Sequence, residues 1–282
     1  MEKDALFIKE PRMNDLEQGC KKIWEVEKTI GKIIAIANQK GGVAKTTTAV
    51  NLGAWLSLLG QKVLLVDIDP QGNATTGVGV DKNIVEYCIY DVLINSLPVK
   101  RVTVSSALEQ LDLVPATIEL AGAEVELVSV PGRENILKNA LAEIRDEYGY
   151  IFIDCPPSLG LLTLNALTAA DSLIIPIQCE FYALEGLGQL MNTIKMVQQH
   201  LNKNLTLEGV LLTMFDGRTN LAIQVVDEVK KHFKEKVYRS IIPRNVRLSE
   251  APSHGKPVMV YDRRSRGAEV YRDLAKEVMG IE

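Results

Sequence analysis

The junction at residues 32–47 constrains this chain more than any other stretch. Lys32 to Asn38 reads as a short apolar β run. Lys40-Gly41-Gly42-Val43-Ala44-Lys45-Thr46-Thr47 follows it directly and opens a helix-period segment that continues through Val50, Leu52, Ala54 and Leu56. A strand, a tight turn of small residues and a helix in that order make a phosphate cradle. Successive backbone N–H groups point at phosphate oxygens and the helix N-terminus adds positive potential. Lys45 supplies charge for β and γ phosphates and Thr46 a ligand for Mg2+. A chance glycine-rich turn is the competing reading, and the register of Lys-Thr between strand and helix argues against it.

Further β-rich runs recur at Lys62 to Asp67, Leu111 to Val114, Tyr150 to Asp154, Ser172 to Ile177, Leu207 to Met214 and Val237 to Ile242, separated by helix-period segments. The clearest helix is Ala183 to His200, where Leu184, Leu187, Leu190, Met191, Ile194 and Val197 form an apolar stripe that core packing explains. The alternation predicts an α/β fold with a doubly wound, mostly parallel sheet and helices on both faces. In such a sheet, functional residues cluster just beyond the carboxyl ends of strands. With 282 residues and 46% apolar content, one domain over 31–282 is the simpler division. Residues 1–30, with loosely periodic Leu16, Ile23, Trp24 and Val26, read as an N-terminal extension, helical or flexible.

The longest apolar runs are strand-length, well short of the roughly 20 residues of a membrane span. The first 30 residues mix both charge signs without the apolar core of a secretory signal. Cys20, Cys88, Cys155 and Cys179 are widely spaced with no C-x-x-C pair, which suits reduced thiols and makes a zinc site improbable. These features predict a cytoplasmic protein without stable membrane association.

Two further stations end in acids. Val66-Asp67-Ile68-Asp69-Pro70-Gln71-Gly72-Asn73 closes the second β run, and acids there suit water and metal; a solvated turn is the alternative. Ile151-Phe152-Ile153-Asp154-Cys155-Pro156-Pro157 reads as a Walker B strand whose Asp154 holds Mg2+ through water, followed by a proline-stiffened turn. Charge, metal and alignment are what phosphoryl transfer requires, and the three stations supply each.

The ordinary motif G-x-x-x-x-G-K-[ST] needs glycine where this chain has Gln39 and Ala44. The run resembles instead the deviant phosphate loop of the ParA/MinD superfamily, whose second lysine matches Lys40. That resemblance implies ATP and Mg2+ as ligands and an ATP-sandwiched homodimer, with Lys40 acting on the partner's nucleotide and Lys45 on the chain's own. It assigns Asp69 to orienting the attacking water, with Asp67 in support. Similarity to chromosomal ParA/Soj proteins runs over roughly residues 31–280, through Thr163 to Ala170, Pro176 to Gly188, Gly209 to Asn220 and Ile242 to Ala268. It implies that Met214, Pro243, Arg244 and Asn245 wall an adenine pocket. Family members usually carry glycine at the position of Ala44. A left-handed alanine there costs on the order of 1 kcal/mol and its Cβ crowds the phosphates, so weakened but not abolished nucleotide binding or turnover is expected.

A net charge of −4 argues against a uniformly basic nucleic-acid binder, yet Lys230 to Arg272 holds twelve Lys or Arg against four acids. By composition this is either a solvated surface or a phosphate-seeking face. The resemblance implies sequence-blind binding of double-stranded DNA by the ATP dimer through Arg218 and Arg247, with Arg244, Arg263, Arg264 and Arg266 as weaker candidates. It also implies nucleoid association and hydrolysis stimulated by a ParB-like partner, in chromosome or plasmid partitioning. A MinD-like positioning ATPase would call for a basic amphipathic C-terminal helix, where this chain has Glu277-Val278-Met279-Gly280-Ile281-Glu282. An iron–sulfur carrier would call for a second cysteine beside Cys155 in family register. A nucleotide-dependent binding module impaired in hydrolysis is a further alternative that Ala44 raises.

Overall fold

Alternate residues of strand β1 (Lys32–Ile36) belong to different hydrophobic cores: Ile33 and Ala35 to one, Ile34 and Ile36 to the other. A strand buried on both faces has to lie mid-sheet with helices above and below it. The computed structural model describes residues 31–180 and 185–281. Six further strands join β1: β2 (Val63–Asp67), β3 (Val104–Ser105), β4 (Leu111–Val114), β5 (Tyr150–Asp154), β6 (Ser172–Gln178) and β7 (Thr206–Thr213). The sheet order is β3-β4-β2-β5-β1-β6-β7, parallel throughout except where short β3 pairs antiparallel with β4. The expected doubly wound, mostly parallel sheet is therefore present.

One face is covered by α1 (Lys45–Leu58), and Tyr271 and Leu274 of the last long helix share its core. The other face is covered by α2 (Leu120–Glu126), α3 (Ile136–Ala142), α4 (Leu161–Ala169), α5 (Glu185–His200) and α6 (Asn220–Phe233). The last long helix is α7 (Arg266–Met279), started by the Ser265 side chain accepting from the Ala268 N–H and stopped at Gly280 with φ 68. Tyr271 of α7 is fully buried, and its hydroxyl lies 3.1 Å from that of Thr48 on α1, which ties the two helices together beneath the sheet. No helix among the described residues is long and apolar enough to cross a membrane. The N-terminal extension expected over residues 1–30 and residues 183–184 of the expected Ala183 to His200 helix lie outside the described residues.

One expected strand is corrected. Val237 to Ile242 does not form a ladder; it makes only isolated bridges, Val210 with Val237 and Phe215 with Pro243. The Tyr238 and Ile242 N–H groups reach the Val210 and Leu212 carbonyls of β7, but those of Arg239 and Ser240 donate to Glu277 on α7, at 2.9 and 2.8 Å. The Ser240 hydroxyl joins them at 2.6 Å, so one carboxylate holds three donors and pulls the segment off the sheet edge. Glu277 thereby fixes the approach to Pro243. Replacing it, Glu277→Ala, strands these donors and is expected to lower unfolding free energy by about 1–3 kcal/mol, read as a lower urea midpoint with an unchanged slope.

Candidate nucleotide site

In the order β2-β5-β1 the three motif-bearing strands are neighbours, and their last residues stand in register: Asp154 opposite Ile36 on one side and Asp67 on the other. Parallel pairing thus delivers the phosphate loop, the Asp67–Asn73 turn and the Asp154–Pro157 turn to one end of the sheet. Within the loop, Gly42 has φ 71 and Ala44 has φ 70, ψ 33, both left-handed. Nothing lies within 4 Å of a Cβ at Gly42, so glycine is there for its dihedral rather than for space. Ala44 carries strain of about 1 kcal/mol. Neighbours hold it in place. Thr48 Oγ1 donates to the Ala44 carbonyl at 2.7 Å, Thr213 Oγ1 to the Val43 carbonyl at 3.1 Å, and Asn38 accepts from the Lys40 N–H at 3.0 Å while its amide donates to the Pro176 carbonyl.

The loop faces a cleft of about 350 Å³ lined by Gly41, Gly42 and Ala44 to Thr47, with Asp69, Asn73 and Pro157 opposite. A second cavity of about 560 Å³ is walled by Met214, Pro243 to Asn245 and Leu248. Ala44, Thr47 and Met214 line both, so the two cavities run together at the start of α1. Met214 is itself left-handed, φ 51, at the turn that leaves β7.

Charge in the cleft is desolvated. Burial lowers the pKa of Lys45, with Asp154 foremost among the groups opposing that shift, and its ammonium donates to the Lys40 carbonyl at 3.1 Å. Burial, reinforced by Asp67, pushes Asp154 well above the usual carboxylate value, with Thr46 and Lys45 pulling back. Asp154 is fully buried and neither of its carboxylate oxygens has a hydrogen-bond partner among the described residues. An orphaned buried carboxylate beside a threonine and a lysine fits a hard divalent cation, which takes oxygen ligands. Asp67 is buried too and pushed up to about 6 by desolvation, but its oxygens are already engaged by the Thr75 N–H and hydroxyl and the Asp69 N–H. Asp67 therefore anchors the turn, while Asp69 lines the cleft.

A family model described as an AAA domain matches residues 31–207. Sporulation initiation inhibitor protein Soj of Bacillus subtilis is 66% identical over 249 residues, 88% of this chain and 98% of that protein. Chromosome partitioning protein ParA of Myxococcus xanthus is 56% identical over 251 residues, 89% of each chain. The chain belongs to the ParA/Soj family of chromosome-partitioning ATPases. Among solved structures, cobyrinic acid a,c-diamide synthase from Mycobacterium smegmatis, with an ATP analogue and magnesium, matches at TM-score 0.78 and 41% identity over 89% of this chain and 95% of that one. The septum site-determining protein MinD of Pyrococcus horikoshii, complexed with Mg-ADP, matches at TM-score 0.73 and 25% identity over 88% and 96%.

Some residues that the ParA/Soj resemblance picks out do not line the cleft. Val43 is buried beneath the loop. Lys40 is not part of the lining of this chain's own cleft, and its ammonium lies 3.9 Å from Glu180. Glu180 also accepts from Arg244 at 2.7 Å and from Gln178 at 2.6 Å, so it sits between the second lysine and the wall of the larger cavity. Sequence reasoning missed Glu180, as it missed Asn38, Thr48 and Thr213, because each acts through a partner remote in the chain or through a backbone carbonyl. Arg218, at the mouth of the larger cavity, is gripped in bidentate fashion by Asp216, and Arg247 pairs with Glu250 and Asp262. The basic excess counted along Lys230 to Arg272 is partly neutralised in space by acids from outside the segment, Glu180 at Arg244, Glu228 at Lys231 and Asp273 at Arg272. The thiols of Cys155 and Cys179 are buried, and burial pushes Cys179 up to about 11 and Cys155 further, which leaves them poor thiolate ligands.

The strain at Ala44 gives a direct test. Ala44→Gly is expected to raise unfolding free energy by up to about 1 kcal/mol, less what the more flexible unfolded chain takes back. It also removes a Cβ that lines both cavities. Nucleotide should bind several-fold more tightly by calorimetry, and thermal melts should shift upward.

Proposed function

We propose that the chain is the ATP-driven switch of a DNA-partitioning system. It binds ATP with Mg2+, pairs with a second copy while ATP is held, binds double-stranded DNA without sequence preference in that state, and returns to the monomer when a ParB-like partner stimulates hydrolysis. The observation that carries this reading is Asp154, buried and unpartnered at the tip of a central strand beside Lys45 and Thr46 of a strained phosphate loop. Thr46 and Asp154 hold the metal, which when bound offsets charge on the terminal phosphates. Lys45 serves the chain's own nucleotide. Gly41, Gly42, Val43, Ala44 and Thr47 offer the cradle, and Met214, Pro243, Arg244 and Asn245 the base pocket.

Asp69 orients the attacking water. Its Oδ1 is fixed by the Gln71 N–H at 2.9 Å, and among the described residues nothing donates to its other oxygen. Lys40 lies outside the lining of this chain's own cleft, beside Glu180, which supports its use on the partner's nucleotide. Residues 31–282 act as the ATPase unit and residues 1–30 as an extension, a division supported by a family match that begins at residue 31. The working place of such a switch is the nucleoid in the cytoplasm.

Arg218 and Arg247 meet DNA phosphates. Because each is held by an acid, DNA has to displace or share those carboxylates, and the grip of Arg218 keeps the Asp216 carboxyl down at about 2. Removing Asp216 frees a guanidinium without adding charge to the DNA face elsewhere.

The test is binding to a random-sequence duplex at several salt concentrations with ATP, ADP or no nucleotide, beside light scattering for mass. A dimer and steeply salt-dependent DNA binding with ATP alone are expected. A dimer that ignores DNA would replace the cargo, and absence of both would overturn the reading. Lys45→Ala should lose nucleotide binding, whereas Asp69→Ala should keep the ATP dimer and lose turnover by about a hundredfold or more. Asp216→Ala should tighten DNA binding and Arg218→Ala weaken it, with no preference among sequences.

A further inference from the structure

A further cavity, of about 550 Å³, lies beside the first two turns of α1. It borders the two cavities above at Thr46, Thr47, Asn73 and Pro252 and then leaves them. Val50 and Asn51 of α1 form one wall, Thr76 and Gly77 of the short helix Asn73–Gly77 a second, and Ala251 and Ser253 of the turn Ala251–His254 a third. These walls are tied to one another. The Val258 N–H donates to the buried Asn51 side chain at 2.7 Å, which pins the chain just beyond the third wall to α1. Gly79 and Gly255, left-handed at φ 87 and φ 60, join the second wall to the third: a Cβ on Gly79 would come 2.9 Å from the Gly255 carbonyl, and one on Gly255 3.2 Å from Gly79 Cα. A Cβ on Gly77 would come 3.1 Å from Val50, so the short helix lies close on α1. The fold itself shapes this space, and its volume falls within the range of about 300–1,000 Å³ usual for ligand pockets.

The lining decides what can enter. Lys82 and Lys256 both stand on it, and no Asp or Glu among the described residues does. Lys256 is exposed, and among the described residues its ammonium has neither an ion-pair nor a hydrogen-bond partner. The side chains of Thr47 and Asn73 likewise make no hydrogen bond among the described residues, so neutral donors stand ready beside the two cations. Val50, Gly77, Ala251 and Pro252 supply apolar surface between them. Two lysines, spare neutral donors and an apolar wall suit a phosphate carried on a flat apolar group, since lysine meets phosphate as a point charge without a fixed geometry. One of these lysines also leads to Asp69. The Lys82 ammonium donates to the Gln71 carbonyl at 2.6 Å, and the Gln71 N–H donates to Asp69 Oδ1 at 2.9 Å. A phosphate that draws Lys82 to itself loosens the residue that fixes Asp69.

We infer that this cavity is a regulatory site for a small phosphate-bearing ligand with a flat apolar part, separate from the ATP cleft, and that its occupancy slows turnover through Lys82 and Gln71. The effect on turnover rests on the role proposed above for Asp69, whereas binding beside Lys256 does not.

The experiment uses the full chain, saturated with Mg-ADP so that the nucleotide cleft is filled, and pyridoxal 5′-phosphate, which carries phosphate on a flat ring. Its aldehyde condenses with a lysine amine with loss of water, and borohydride reduces the imine to a stable amine that mass spectrometry locates. Lys256 or Lys82 is expected to be marked at about tenfold lower reagent concentration than exposed Lys203 and Lys230, because bound phosphate holds the aldehyde beside the amine. Inorganic pyrophosphate should suppress that mark. In turnover assays without borohydride, the reagent should slow hydrolysis in a way that added ATP does not relieve. Lys256→Gln should need about tenfold more reagent for the same slowing, with basal turnover and ADP affinity intact. Even marking of all exposed lysines would overturn the site. Marking that requires an empty nucleotide cleft would overturn it by assigning these residues to that cleft. Suppression by a random-sequence DNA duplex but not by pyrophosphate would overturn it in favour of a DNA face. Selective marking with turnover unchanged would keep the site and overturn its action on Asp69.

Discussion

Asp154 sets the terms for the rest of the molecule. Its carboxylate ends the central strand β5 with no exposed surface and no hydrogen-bond partner among the described residues, which is an expensive way to bury an ionisable group. Two features of the surroundings lower that cost. Proton uptake is favoured, since burial and the neighbouring Asp67 push Asp154 upward, and a desolvated Lys45 stands near with opposite charge. Neither satisfies the oxygens geometrically. A cation that does so would add its binding free energy to the stability of the fold. The braces around the phosphate loop follow from this arrangement. A loop that must wait in a strained shape beside unpaired charge has to be held by other parts of the chain, and Thr48, Thr213 and Asn38 hold it through backbone groups.

Ala44 shows how firmly. A left-handed alanine would relax if its surroundings allowed, and the cost of about 1 kcal/mol is small against a typical net stability of about 5–15 kcal/mol. The backbone on either side is fixed by α1, whose Thr48 reaches back to the Ala44 carbonyl, and by β7, whose Thr213 reaches Val43. The conformation is dictated by partners and tolerates the wrong residue type. The same turn of β7 carries left-handed Met214, so two strained residues from distant parts of the chain meet where the phosphate cleft opens into the larger cavity.

What could be read from sequence divides along physical lines. The six strands that were read correctly each send apolar residues into both cores, so composition and length mark them without help from neighbours; β3 has two residues and offers no period to read. Val237 to Ile242 has the composition of a strand, and its departure from the ladder is decided by Glu277, on a helix that arrives later in the chain. The phosphate loop and both acidic turns were legible because their chemistry is local and parallel pairing brings strand ends together. Pairings across the fold were not: nothing near Lys40 announces Glu180. The neutralisation of the arginines is an instructive exception. Asp216 lies two residues from Arg218 and Glu250 three from Arg247, so these pairs were available to a reading that tested each cation for a near acid instead of totalling charge.

The acidic turns differ in how they are tied down, and that difference bears on how a switch of this kind can respond. The Asp67–Asn73 turn is anchored by a chain of donors, Ala116 to Thr75 to Asp67, each within hydrogen-bond distance of the next. The turn after Asp154 is tied through its backbone instead, by the Cys155 N–H on the Ile36 carbonyl and the Thr163 hydroxyl on the Ser158 carbonyl at 2.6 Å. It is stiffened by Pro156 and Pro157, followed by Gly160, and backed by the unpartnered oxygen of Glu124. A polar chain breaks at a definite cost per bond, whereas a packed and unsatisfied carboxylate gains from any movement that gives it a donor. The helical run from Thr117 to Ser129 lies against both turns, beside Ala116 at one end and through Glu124 further along, outside the nucleotide cleft.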